Sequence, residues 1–115
     1  TGGTVLFAPD QEPSRKSGIY APFYGIAALT PKLPYDMIRR HPQGKVLYTY
    51  VKRVEGGFHV VFREAPKALF NADLLTSATA LNQGFEACIA DAPAQNQWDY
   101  KRFKRRPEGE KNVYK

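Results

Sequence analysis

Cysteine is almost missing from this sequence. Cys88 stands alone among 115 residues, which excludes an intramolecular disulfide and a cysteine-based zinc site. Histidine is nearly as scarce, with His41 and His59 the two present. Two histidines and one cysteine do not assemble into a metal-ligand cluster or a Ser-His-Asp set, and no glycine loop of the phosphate-cradling kind is spelled anywhere. No cofactor and no metal are expected. There is also no run of 18 apolar residues and no charged-then-apolar leader, so no spanning segment or signal peptide is read here. Membrane contact would be peripheral, or made through residues outside this sequence. The length falls short of the ~150 residues at which two domains begin to be suggested, so residues 1–115 read as a single unit.

What the sequence does contain is the material of a folded chain: 43% hydrophobic and 13% aromatic residues against 24% charged. Its net charge of +6 is placed unevenly. Lys101, Arg102, Lys104, Arg105 and Arg106 supply five positive charges, leaving the rest near +1. The isoelectric point of about 9.6 is therefore mostly a property of the C-terminal end, and it points to an anionic partner there.

Along the chain, Thr4-Val5-Leu6-Phe7-Ala8 is apolar on both faces and reads as a strand buried on both sides, of the kind found inside a sheet covered by helices. Residues 11–18 are polar and read as a loop. Residues 19–29 are apolar and aromatic but interrupted by Pro22 and Gly25, which suggests a hydrophobic loop or pocket wall. Thr30-Pro31 resembles an N-cap with proline in the first turn, opening a short helix to about His41. Residues 45–53 and 58–64, rich in Val, Tyr and Phe and separated around Glu55-Gly56-Gly57, predict a β-hairpin. Asn71 is placed to cap a helix in which Leu74, Ala78, Leu81, Phe85, Cys88 and Ile89 recur at spacings of three and four up to Asp91. A tail follows, with Trp98 and Tyr100 leading into the basic cluster.

Candidate chemistry is sparse. His59 and Glu64 spell His-x-x-x-x-Glu, a general-base spacing, but residues five apart in a strand point to opposite faces. The predicted hairpin therefore keeps these side chains apart and leaves no catalytic residue assigned. Asp10-Gln11 follows the apolar run, where ligands collect at the carboxyl ends of strands in open α/β sheets; the same pair also suits a plain Pro-Asp turn. Phe23 and Tyr24 could line an acyl pocket, although an apolar aromatic pair of this kind is more often core. Arg102, Arg105 and Arg106 could clamp phosphate through their planar forks, or form a solvated face.

Taken together the segments resemble a known family. Ala8-Pro9-Asp10-Gln11-Glu12-Pro13, followed by Gly18-Ile19-Tyr20-Ala21-Pro22-Phe23-Tyr24-Gly25, is similar to the Asp-Gln block and the Pro-Phe-Phe-Gly type block of the late acyltransferases of lipid A biosynthesis, the lauroyl/myristoyl transferases. The C-terminal Pro93-x-Gln95-x-x-Trp98 and Arg102-Phe103-Lys104-x-Arg106-Pro107 are similar to that family's closing signature. The resemblance covers the whole sequence.

The resemblance implies part of an α/β acyltransferase domain, a partial mixed sheet with flanking helices. It divides into the Asp-Gln block and apolar loop (1–30), a helix and hairpin (31–70), and a helix with the basic tail (71–115). It implies an enzyme at the cytoplasmic face of the bacterial inner membrane that moves a fatty acyl group from acyl carrier protein to a lipid A precursor. The family's catalytic His-x-x-x-x-Asp/Glu and its hydrophobic anchor lie before the Asp-Gln block. The sequence therefore reads as a C-terminal portion beginning in mid-sheet, whose partners include the preceding part of the same enzyme and an anionic membrane surface. The implied substrate-binding set is Asp10, Gln11, Phe23, Tyr24, Arg102, Arg105 and Arg106. A nucleic-acid or phospholipid-binding module without catalysis would account for the aromatic-basic tail, but nucleic-acid binding would leave the Phe23-Tyr24 block without a purpose, so no nucleic-acid partner is expected.

Overall fold

The computed structural model describes residues 3–6, 8–96 and 100–114. Its ordered elements are strands β1 (Gly18–Phe23) and β2 (Ile26–Pro31), helix α1 (Leu33–Arg40), strands β3 (Leu47–Val54) and β4 (Gly57–Glu64), and helix α2 (Leu74–Asp91). The α/β character stands. Among the described residues the sheet structure consists of two separate antiparallel hairpins, β1–β2 and β3–β4.

The second hairpin is the predicted one, closed by Glu55-Gly56 with Gly56 at φ 80°. The first replaces the expected irregular loop. Tyr24 and Gly25 both take positive φ, 51° and 77°, which is the two-residue turn whose twist matches paired strands. Pro22 does not break β1, because the register sets it opposite Ala27, one step from the closing Phe23–Ile26 pair, where a strand nitrogen points away from its partner. The turn went unread because tyrosine is a poor signal for a left-handed position.

Helix α1 starts at Leu33 and not at Thr30-Pro31, which end β2. Thr30 cannot cap it: its hydroxyl donates to the Ala28 carbonyl at 2.9 Å and accepts from the Asn82 amide at 2.9 Å. Helix α2 is capped by Asp73, two residues later than the expected Asn71. Asp73 Oδ2 accepts from the Thr76 N–H at 3.0 Å, while Asn71 Oδ1 accepts from the Asp73 N–H. The Thr76 hydroxyl, donating to the same Oδ2 at 2.7 Å, and then the Thr76 N–H hold the Asp73 carboxyl below its usual pKa.

The apolar run at the start is not a buried strand. Residues 4–6 and 8 carry no regular structure, and Val5 and Leu6 are 65% and 83% exposed. A strand buried on both faces needs neighbours on both edges, and the two hairpins are each paired only internally. Phe7 and Trp98 lie outside the described residues.

Helix α2 forms the centre, touching both hairpins. One side meets β1–β2 through Ala78 and Asn82, both buried with Ala21, Ala28, Leu29 and Thr30. The other side carries Ala80, Leu81, Phe85 and Cys88 into a cluster with Tyr48 and Leu69. Tyr48 lies across Gly84 with its hydroxyl donating to the Leu81 carbonyl at 2.8 Å and its ring edge-on to Phe85 at 5.2 Å. The expected stripe Leu74–Ile89 is thus present, but it packs on the hairpins and not on a strand through Val5.

Candidate functional site

Between the two hairpins lies an open cleft of about 1680 Å³. Asp10 and Gln11 from the N-terminal turn, Phe23 and Tyr24 from the first hairpin, and Arg102 from the tail all border it. Five of the seven residues expected to bind substrate therefore converge from three distant segments. Its far wall is the apolar surface of Tyr48, Leu81, Phe85 and Cys88. Arg105 and Arg106 lie away from the cleft; Arg106 borders a shallow surface depression with Arg15 and Lys104. A cleft with one apolar wall and a few polar groups at the rim is suited to an apolar chain with a polar end.

Phe23 is the junction of this site. Its ring meets Tyr24 at 4.8 Å and Phe103 at 5.9 Å, and the Arg102 guanidinium sits 5.6 Å over its face. Tyr24 holds a left-handed backbone that costs a non-glycine residue about 1 kcal/mol or more. The turn is fixed from outside: the Tyr24 N–H donates to Glu86 Oε1 of α2 at 3.2 Å. Burial, and then the Glu86 carboxylate, push the Tyr24 hydroxyl above its usual pKa.

The basic tail returns to the first hairpin. Arg102, 6% exposed, donates through Nη1 to the Leu29 carbonyl at 2.6 Å and through Nη2 to Thr30 Oγ1 at 3.3 Å. Burial draws its pKa downward, while the distant carboxylates of Glu12 and Asp10 oppose the shift. Arg106 Nη1 donates to the Ala27 carbonyl, its own carbonyl accepts from the Tyr20 hydroxyl at 2.8 Å, and Nη2 pairs with Glu110. Arg105 donates from its backbone N–H to Glu12 Oε2 at 2.7 Å and from Nη1 to Oε1 at 3.3 Å; the Glu12 side chain is buried and that of Arg105 is 42% exposed. Tyr100 accepts from the Glu12 N–H at 2.9 Å. These bonds lock the Asp-Gln block, the first hairpin and the tail into one wall.

The β3–β4 hairpin is tied to the end of α2. Asp91 accepts from the Tyr50 hydroxyl and, at 3.0 Å, from Lys52 Nζ. These contacts, the Tyr50 bond foremost, hold the Asp91 carboxyl below its ordinary 3.8. Gln95 lies along the outer edge of β3, with Oε1 accepting from the Arg53 N–H at 2.8 Å and Nε2 donating to the Val51 carbonyl at 2.7 Å. A carboxyl with a depressed folded-state pKa contributes stability that is present above its unfolded value and is lost as pH falls through the folded one. Asp91→Asn is therefore expected to melt earlier than the parent at pH 7, with the gap closing below about pH 4. Melting curves from pH 7 to 2.5 check this, and a gap that persists unchanged at the acid end contradicts it.

His59 pairs across the hairpin with Lys52 and Glu64 with Leu47, so the two stand on opposite faces of β4 and form no dyad. Burial pushes the Cys88 thiol above its usual pKa, which leaves it protonated and a poor nucleophile. Among the described residues no group of His, Cys, Asp and Glu could hold a metal ion, and no helix is long and apolar enough to cross a membrane. Sequence reasoning missed Asn82, Glu12 and Gln95. Asn82 had a visible signal: it falls four residues after Ala78 on the apolar side of α2, where a polar residue implies buried hydrogen bonding.

The family model for bacterial lipid A biosynthesis acyltransferases matches residues 1–105. The lipid A biosynthesis palmitoleoyltransferase of Escherichia coli (strain K12) is 31% identical over 114 residues, 98% of this chain and 37% of that protein. A lipid A biosynthesis acyltransferase of Shigella flexneri matches with the same identity and coverage. The lipid A biosynthesis lauroyltransferase of Escherichia coli (strain K12) is 28% identical over 116 residues, 98% of the chain and 38% of that protein. The chain thus spans little more than a third of the length of the curated relatives it matches.

Proposed function

The chain belongs to the bacterial lipid A biosynthesis acyltransferases, and from that membership we propose that it is the C-terminal part of an enzyme moving a fatty acyl group from acyl carrier protein to a lipid A precursor at an anionic membrane surface. The observation that carries the reading is the convergence of Asp10, Gln11, Phe23, Tyr24 and Arg102 on one cleft. In this reading Phe23, Tyr24 and the apolar wall opposite hold an acyl chain, while Asp10 and Gln11 hydrogen-bond its polar end. Arg102 and Arg106 hold the wall in place, and the exposed side of Arg105 faces phosphate or sugar-acid head groups. The general base that deprotonates the acceptor hydroxyl is supplied by the preceding part of the enzyme.

Two measurements test this. Residues 1–115 alone, mixed with lauroyl-acyl carrier protein and lipid A precursor, are expected to give no product. Turnover above the no-protein control that vanishes in His59→Ala would overturn the placement of the catalytic pair. A lipid A precursor carrying a photoactivatable group on its acyl chain is expected to label the tryptic peptide 17–32, which holds Phe23 and Tyr24, with competition by unlabelled precursor. Labelling confined to the tail or to the outer side of β3–β4 would sink the cleft as the acyl site.

A further inference from the structure

On β3, Leu47, Thr49 and Val51 border the cleft, but Phe58, Val60 and Phe62 on β4 do not, and the cleft leaves them unexplained. In the observed register Val51 lies opposite Val60, Thr49 opposite Phe62 and Arg53 opposite Phe58, so these side chains share one face with Leu47. Tyr48, Tyr50 and Lys52 occupy the other face and meet α2. The β4 side of this face is therefore apolar and uncovered: Phe58 is 67% exposed, Phe62 65% and Val60 60%. Solitary exposed apolar residues need no explanation, but a contiguous set on one flat surface marks a contact site.

Two features identify the occupant. Between residues 32 and 64 the chain has seven basic and three acidic residues. Arg53 stands on this face opposite Phe58, and Arg39, Arg40 and Lys45 are exposed in α1 and the loop that leads into β3, a charge balance complementary to an anionic interface. The face is also narrow. Two strands of eight residues offer roughly 27 by 10 Å and place eight side chains on this face, well short of the about 20–30 residues per partner in a stable protein interface. A bilayer has no such minimum, and the chain is a plate of 46 × 39 × 20 Å that can lie on one. We propose that the outward face of β3–β4 is a membrane-docking surface, inserting Phe58, Val60 and Phe62 at the acyl boundary while Arg53 and the exposed basic residues of the preceding segment meet anionic phospholipid head groups. The proposal names the surface for the membrane partner in the reading above and rests on that reading.

The probe is a phosphatidylcholine/phosphatidylglycerol vesicle that contains no lipid A, so this test and the labelling of peptide 17–32 can fail independently. The 115-residue chain is expected to bind such vesicles, more weakly as salt rises. Phe58→Ser/Phe62→Ser should weaken partitioning about tenfold or more, while Val113→Ser, an exposed apolar change elsewhere, should leave it as it was. In Phe62→Trp, the added emission should shift to the blue on vesicle addition and be quenched by lipids brominated in their acyl chains. This readout also decides the matter should the double serine variant fail to fold. Equal binding by the double variant, or an unquenched tryptophan at 62, would overturn the proposal. So would sedimentation showing that Phe58→Ser/Phe62→Ser converts a dimer to a monomer, because the face would then belong to a second copy.

Discussion

Replacing Arg102 by alanine is expected to lower the unfolding free energy by about 3 kcal/mol, and the melting temperature by about 10 °C. Its guanidinium is buried and supplies the donors for the Leu29 carbonyl and Thr30 Oγ1. Truncation takes this donor from the Leu29 carbonyl, leaves Thr30 Oγ1 with Asn82 as its remaining donor, and removes the cation from the face of Phe23. Hydrogen bonds from a charged donor contribute about 1.5–3 kcal/mol each, and relief of the desolvated charge offsets part of their loss. Arg102→Lys should recover less than half, because one ammonium on a flexible stem does not reproduce the two-pronged geometry. Chemical denaturation of the three proteins checks the order Arg, Lys, Ala. An alanine variant as stable as the parent would mean that the residue serves ligand alone and not the wall.

The second expectation runs against helix propensity. Alanine is favoured over glycine inside a helix by about 1 kcal/mol, yet Gly84→Ala should destabilise the chain by roughly 2–3 kcal/mol. A Cβ at 84 would stand 2.2 Å from Tyr48 Cζ and 2.4 Å from its hydroxyl oxygen. The ring would have to move, and moving it gives up the bond to the Leu81 carbonyl and the edge contact with Phe85. In a Tyr48→Ala background the clash is gone, so there Gly84→Ala should be neutral or slightly stabilising. Comparing the four melting temperatures measures this coupling. Destabilisation of equal size in both backgrounds would place the cause in the helix and not under the tyrosine.

The parts of the molecule legible in the sequence are those where local pattern and final packing agree. The β3–β4 hairpin has β-branched and aromatic strands about a glycine turn, and α2 has a stripe at helical spacing, so each could be read from its own residues. The first hairpin was hidden because its turn depends on Tyr24 accepting a left-handed backbone that Glu86, far along the chain, holds in place. The strand expected over Thr4–Ala8 failed in the opposite sense at its described residues, 4–6 and 8. Its composition is that of a doubly covered strand, but burial belongs to the neighbours and not to the run itself. For the site, the Phe23-Tyr24 and Asp10-Gln11 segments were legible as motifs and their convergence was not. That convergence is made by buried polar groups such as Glu12, Asn82 and Arg102, whose partners no spacing rule reveals.

Gln95 carries a consequence for how copies of the chain could associate. A glutamine side chain ends in the same amide as a peptide link, and on β3 it occupies one outward donor and one outward acceptor, much as a further strand would. Of the hairpin's two edges, that one is closed in its middle, while β4 keeps the outward edge of an apolar Phe-His-Val-Val-Phe strand. Units with a single adhesive edge can join in pairs and then stop, whereas units with two can add without limit. By filling two hydrogen-bonding positions on β3, Gln95 leaves β4 as the hairpin's open edge and so removes the two-edged geometry that unlimited strand addition requires.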